Sequence, residues 1–181
     1  MKFGIFGGAR RGLHDITGDS TGYQDFIDYI RAADEHGFHN VFLTEHHFTG
    51  QESLSASLNL LSYLAARTER IRLGFAVVQT PFHHPVQLAV QLALLDNLSN
   101  GRIDVGLGKG TVYNEYEFVG YGLRSTDSRE RMEEAVEILQ RAWTEAPFVY
   151  EGKFHKVRVP AIRPKPVQQP GPPLWRSVIS P

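Results

Sequence analysis

Apolar residues come along this chain in blocks that switch between short continuous runs and helical spacing. Lys2 to Phe6 is an apolar run closed by Gly7 and Gly8, which predicts a buried strand entering a loop. From Tyr23 to His36 the period is helical, with Phe26, Ile27, Ile30 and Ala33 on one face and Gly37 placed to end the helix. Val41 to Thr44 predicts a second strand, Leu54, Leu58, Leu61, Leu64 and Ala65 a second helix, and Ile71 to Gln79 a third strand. Pro85 opens a third helix bearing Val86, Ala89, Val90, Ala93 and Leu94, at an early position where its missing N–H is harmless. Gly101 ends that unit, and Ile103 to Leu107 is a fourth strand. Asp127 and Glu130 have capping-box spacing, and Met132, Ala135, Val136, Leu139, Ala142 and Trp143 form an amphipathic stripe behind them. Tyr150 to Val157 reads as a small β excursion around Glu151-Gly152 and Pro160 to Pro173 as an irregular connection. Leu174 to Ile179 predicts a fifth strand.

Strands two, three and four start about 30 residues apart, the length of a βαβ unit. Their continuous apolar character fits a parallel sheet covered on both faces. The fold class is therefore α/β, with a doubly wound sheet and a barrel both compatible with the pattern. The 181 residues favour one domain. Hydrophobic residues at 41% and charged residues at 22% are ordinary for a soluble globular protein. A net charge of −1 with scattered Lys and Arg offers no footprint for nucleic acid or for a membrane surface. Cysteine is absent, which excludes disulfides and thiolate metal sites and fits a reducing compartment. The run from Met1 to Phe6 is too short for a signal peptide or a membrane span, so the expected location is cytoplasmic.

In either α/β architecture, chemistry gathers beyond the C-terminal ends of the strands. Three polar clusters fall there: Thr44-Glu45-His46-His47, Gln79-Thr80-Pro81-Phe82-His83-His84-Pro85 and Gly106-Leu107-Gly108-Lys109-Gly110-Thr111. An imidazole at such a mouth can move a proton near neutral pH; the alternative is a solvated loop ring. His46, His47, His83 and His84 could also ligate a metal, which keeps a metal-dependent hydrolase as a competing class. Adjacent histidines on an extended segment point to opposite faces, however, so each pair offers at most one ligand. The glycine-rich run with Lys109 has the makings of a phosphate loop. Ile103 breaks the Walker pattern and Thr111 breaks the dinucleotide fingerprint; a plain turn with a solvated Lys is the alternative. Asp104 sits inside an apolar strand, where a carboxylate needs a partner, and is read as a structural mate for a neighbouring Arg or amide.

Taken together, these segments resemble the N-terminal half of bacterial-luciferase-like flavin monooxygenases. The resemblance is carried by Lys2-Phe-Gly-Ile-Phe6, Gly37-Phe38, Thr44-Glu-His-His-Phe-Thr49, Gly74-Phe-Ala-Val-Val78 and His84-Pro85. It continues through Leu95-Asp-Asn-Leu-Ser-Asn-Gly-Arg102, Gly106-Leu-Gly108-Lys-Gly110, Tyr113 to Gly122, Tyr150-Glu-Gly-Lys-Phe154, Pro172-Pro-Leu-Trp175 and Ser180-Pro181. It implies a (β/α)8 barrel with FMN at its C-terminal mouth, where reduced flavin from a separate flavin reductase activates O2 to oxidise a small organic substrate. In that family pattern His46 moves a proton near the flavin, and Ala76-Val77 is a cis peptide under the flavin ring. Gly108 and Lys109 meet the phosphate, and Ser180 adds a hydroxyl. The luciferases proper have Arg at the Lys109 position, so the grip here is a point charge without the bidentate fork. Relatives using deazaflavin F420 share the fold, but Glu-His-His-Phe is more similar to the FMN branch.

A complete barrel takes at least about 200 residues. The expectation is thus a single partial barrel domain over 1–181, with four βα units plus the fifth strand, and with 146–173 as an insertion and Pro-rich connection. Open strand edges at both sides of such a half would favour a homo-oligomer. A flavin-binding protein without turnover, or the remnant of a truncated gene, is the alternative to an active enzyme.

Overall fold

A computed structural model describes residues 1–8, 20–48, 54–145 and 147–177. Along the chain come β1 (Gly4–Gly7), α1 (Ser20–Glu35), β2 (Asn40–Leu43), α2 (Ser57–Arg67), β3 (Arg72–Gln79), α3 (Pro85–Leu98) and β4 (Ile103–Gly108). They are followed by the short α4 (Glu115–Gly120), α5 (Ser128–Thr144), β5 (Phe148–Glu151), β6 (Lys156–Val159) and β7 (Leu174–Arg176). β1, β2, β3, β4 and β7 form one parallel sheet in that order, and β5 and β6 form a separate antiparallel hairpin. Among the described residues the order never reverses, so they hold no switch point of the kind a doubly wound sheet requires. This is the progression of a (β/α)8 barrel wall.

One face of the sheet carries the core. Val41, Leu43, Leu73, Phe75, Ile103 and Val105 are buried against Ile27 and Ile30 of α1, Leu61 and Leu64 of α2, and Leu88 and Leu92 of α3. Residues on the other face form rows set by the register: Phe6 pairs with Phe42, Phe42 with Gly74, and Gly74 with Asp104. A Cβ on Gly74 would stand 2.4 Å from the Phe42 ring, so the missing side chain is what lets that ring lie on the sheet. At the strands' N-terminal end Asp104 is held by Arg72, whose Nε and Nη2 donate to it at 2.7 and 3.0 Å. This is the structural pairing expected of a carboxylate in that strand.

Connections are pinned by single side chains. Gly37 (φ 78°) ends α1 in the left-handed region, and the preceding Asp34 accepts the backbone N–H groups of Glu69, Arg70 and Ile71 at 2.8, 3.0 and 2.6 Å. Burial pushes the Asp34 carboxyl up, but these donors and the Arg70 charge outweigh it and hold the group below its ordinary value. α5 buries Met132, Ala135, Leu139, Ala142 and Trp143, and the Trp143 Nε1–H donates to Ala89 O of α3 at 3.1 Å. The capping box expected at Asp127 and Glu130 does not form, since Asp127 makes no side-chain cap bond. A 3₁₀ turn over Ser125–Asp127 runs straight into the helix, so Asp127 (φ −91°, ψ −3°) lacks the extended backbone that aims a capping side chain. The β excursion is the β5–β6 hairpin, whose tip is fastened to α5 by Glu134 through the N–H groups of Lys153 and His155 at 2.7 and 2.9 Å. No helix among the described residues is long and apolar enough to cross a membrane.

Candidate functional site

The two adjacent histidines leave the end of β2 on an extended segment, and their rings go to opposite sides. His47 is buried, while the His46 side chain is 35% exposed. The loop after β4 folds back over them. Gly110 (φ 76°) permits that return, because a Cβ there would come within 2.7 Å of the Phe118 ring. Glu117 of α4, wholly buried, accepts the His47 backbone N–H at 3.0 Å on Oε1, and the same oxygen lies 3.4 Å from His46 Nδ1. A carboxylate oxygen at that place can accept a hydrogen carried on His46 Nδ1. Tyr121, four residues beyond Glu117, meets His47 Nδ1 with its hydroxyl at 2.9 Å.

Glu45 is the centre of a second group. Its Oε1 accepts from His47 Nε2 and His83 Nε2, each at 3.2 Å, and from the Gln79 backbone N–H at 3.1 Å. Its Oε2 accepts from Ser57 Oγ at 2.5 Å. Burial alone would raise this carboxyl, but the donated hydrogen bonds of His47, His83 and Ser57 and the charge of His83 bring it down to about 2. Glu45 is therefore an anion at neutral pH. His83 looks out into a cleft of about 220 Å³ between the first turns of α2 and α3, which Ser55, Asn59, Gln87 and Gln91 also line. Among the described residues no group of three or more His, Cys, Asp or Glu is arranged to hold a metal ion.

At the adjoining strand ends β3 and β4 pack closely, with only Ala76 and Val77 of β3's end partly open. β3 bulges between Phe75 and Val78, and the Ala76–Val77 peptide within the bulge is cis. Ala76 and Val77 are half-buried. β4 lies hard against this bulge because Gly106 and Gly108 lack side chains: a Cβ on Gly106 would meet Phe75 O at 2.1 Å, and one on Gly108 would meet Val77 Cγ2 at 2.2 Å. Lys109 is exposed just beyond. Two buried acceptors, Gln79 Oε1 and Glu117 Oε2, have no hydrogen-bond partner among the described residues.

The profile of the luciferase-like monooxygenases matches residues 1–181. The chain belongs to that family. It is 30% identical over 175 residues to the oxygenase component of flavin-dependent trigonelline monooxygenase from Acinetobacter baylyi, covering 97% of this chain and 48% of that protein. The monooxygenase RslO1 from Streptomyces bottropensis superposes with a TM-score of 0.90 at 34% identity, covering 99% of this chain and 54% of that one. The oxygenating constituent of 3,6-diketocamphane monooxygenase from Pseudomonas putida, solved with FMN, has the same fold at a TM-score of 0.79, with 22% identity and coverage of 88% and 44%. The chain spans about half the length of the curated relatives it matches. Family membership and the progression of the sheet agree on a barrel of the (β/α)8 type.

Of the residues singled out from sequence, His46, Ala76, Val77, Gly108 and Lys109 all stand at the C-terminal ends of neighbouring strands. Ser180 and the end of the expected fifth strand at 178–179 lie outside the described residues. His83, a candidate metal ligand on sequence grounds, shares Glu45 with His47, and His84 faces the His155 ring at 6.1 Å. Sequence reasoning missed Glu117, Tyr121 and Ser57. For the first two a signal existed: a carboxylate and a phenol four apart share one side of a helix turn, beside the buried Phe118.

Proposed function

We propose that this chain forms the reduced-FMN and O2 side of a luciferase-like monooxygenase that oxidises a small organic substrate and receives its flavin from a separate reductase. The observation that carries the reading is the half-buried Ala76–Val77 bulge at the strand ends, packed against Gly106 and Gly108 of β4, with His46 following β2 on one side and Lys109 following β4 on the other. The glycines let the backbones of β3 and β4 close up, which leaves the Ala76–Val77 peptide as the partly open surface that a flat ring system could meet. Ala76–Val77 would meet the face of such a ring, and Gly108, which lets β4 close against Val77, would lie beside it. Lys109 would hold the phosphate as a point charge, with Ser180 as a second donor. His46, oriented by Glu117, would hold or move a proton beside the reacting oxygen. Bound reduced flavin supplies the electrons that activate O2; everything else asked of these residues is binding, orientation and proton placement. We further infer one partial barrel domain over 1–181, with 146–173 as its insertion and connection, which associates with further copies in a cytoplasmic setting.

The test is rapid mixing of the purified chain with photoreduced FMN and oxygenated buffer, followed by flavin absorbance. The expected result is a rate of flavin reoxidation that changes with protein concentration and saturates. Reoxidation identical to that of free FMN at every protein concentration would overturn the reading.

A further inference from the structure

His47 takes no part in the roles assigned above, yet its ring is held at both nitrogens. Its Nε2 faces Glu45 Oε1 at 3.2 Å and its Nδ1 faces the Tyr121 hydroxyl at 2.9 Å. Aromatic rings close around it: Phe82 and Tyr121 stand edge-on with centroids 5.2 Å away, and Phe48 lies at 6.2 Å. Tyr121 in turn stacks on Phe82 at 4.9 Å and is 43% exposed. A buried carboxylate, a buried imidazole and a surface phenol thus form one line.

The anion fixes the ring. Glu45 only accepts, so His47 carries a hydrogen on Nε2. When the ring is neutral, Nδ1 is a lone pair, the Tyr121 O–H turns inward to it, and the phenol oxygen presents an acceptor outward. When the ring is protonated, Nδ1–H donates to the phenol oxygen and the Tyr121 O–H turns outward as a donor. We propose that His47 and Tyr121 form a second proton path at the strand ends, in which Tyr121 passes protons between the open mouth and the buried imidazole. In the delivering direction the Tyr121 O–H proton goes to an acceptor oxygen in the mouth as the Nδ1 proton of the His47 imidazolium goes to the phenol oxygen. The O–H and N–H bonds that break are matched by two O–H bonds that form, the phenol stays neutral, and the ring loses its charge. Uptake is the same step reversed. Glu45 stabilises the imidazolium while it lasts, as a buried carboxylate does beside a catalytic imidazole.

Burial, with the charges of Glu45 and Glu117, holds the Tyr121 phenol above its ordinary range. It therefore relays a proton and does not store charge as phenolate. The groups that face His47 are Glu45 beside its own strand, Glu117 at its backbone N–H, Tyr121 after α4, and His83 across the shared carboxylate. His83 shares the Glu45 carboxylate oxygen with His47, so the two rings compete for one acceptor. The path rests on the flavin–oxygen reading only for the identity of the acceptor in the mouth.

The experiment is nitrogen-15 NMR of the histidine-labelled chain, without flavin, read across neutral and acidic pH. The His47 ring should carry its hydrogen on Nε2 when neutral. Tyr121→Phe keeps the ring stacked on Phe82 but removes the outlet, and should slow exchange of the His47 Nδ1 proton with water by about tenfold or more, a barrier change of roughly 1.4 kcal/mol. An Nδ1–H tautomer, or unchanged exchange, would overturn the path. Should the variant fail to fold, 3-fluorotyrosine in place of tyrosine makes the phenol more acidic without altering packing. The His47 Nδ1 resonance should then move, and an unmoved resonance refutes the coupling. Intact coupling with unchanged flavin reoxidation faults the flavin reading alone, whereas lost coupling with protein-dependent reoxidation faults this path alone.

Discussion

Glu117 reaches back to the backbone of His47, 70 residues earlier, and takes its N–H at 3.0 Å from a position with no solvent exposure. The contact joins the loop after β4 to the loop after β2, so the site is assembled by a main-chain hydrogen bond as much as by any ring. Glu117→Ala leaves a buried N–H unpaired and should cost about 1–3 kcal/mol, while Glu117→Gln keeps an acceptor and should cost clearly less. Urea unfolding of both variants decides the matter, and equal losses would show that the acceptor is unimportant.

Acid should expose the role of Glu45. The group titrates near 4.5 when unperturbed and at about 2 in the fold. The folded chain thus takes up this proton later than the unfolded chain as pH falls. The stability it contributes is complete above 4.5 and is lost progressively between 4.5 and about 2. Glu45→Gln should lower stability at neutral pH and flatten that part of the profile. Denaturation midpoints at closely spaced pH values would show an unchanged slope if the carboxylate were incidental.

Much of the architecture was open to reading from sequence, because both of its signals are periodic. β3 and β4 are continuous apolar runs, and α5 repeats Met132, Ala135, Leu139 and Ala142 at helical spacing. The clusters after β2, β3 and β4 were legible for the same reason, since they sit where the apolar runs stop. What stayed hidden depends on distance in the chain. Nothing local says that Glu117 lies under His47 or that Ser57 completes Glu45. Periodicity leaves the choice between doubly wound and barrel order open, since it resides in which strands are neighbours; the family resemblance points to the barrel, and the strand order agrees. The expected cap at Asp127 failed because capping is a matter of backbone angle, and the turn at Ser125–Asp127 sets that angle.

At the opposite end of the strands, Arg72 and Asp104 should matter for stability and not for chemistry. Their side chains are 27% and 10% exposed, and Gln168 Nε2 bridges Ile103 O and Asp96 beside them. Asp104→Ala removes the charged partner of a guanidinium that keeps the Gly101 and Ile103 carbonyls, and should cost about 1–3 kcal/mol. FMN affinity, read by fluorescence quenching, should stay within a few-fold; a large loss would mean that the pair reaches the site.

In a full-length context, His46→Ala should reduce oxygen-dependent turnover at least ~100-fold, the usual scale for a lost acid–base group, with FMN affinity within a few-fold. Steady-state oxygen consumption measures this. Unimpaired turnover would remove His46 from the chemistry.

Lys109→Ala should weaken FMN by about 1–3 kcal/mol, the scale of a charged hydrogen bond, and riboflavin hardly at all. Parallel titrations with the two flavins make the comparison. Equal losses would place Lys109 away from the phosphate.

Phe42 and Gly74 occupy one volume between them, the ring of the first filling the space a side chain on the second would need. Neither position is free to change by itself. A larger residue at 74 would lift the ring off β3 and carry it towards the barrel axis, whereas a smaller residue at 42 would open a hollow that 74 could then fill. The two sites should drift through evolution as a matched pair whose summed size is kept. A library randomised at both positions and sorted for folded protein would be expected to return complementary combinations, large with small, and few in which both are large or both are small.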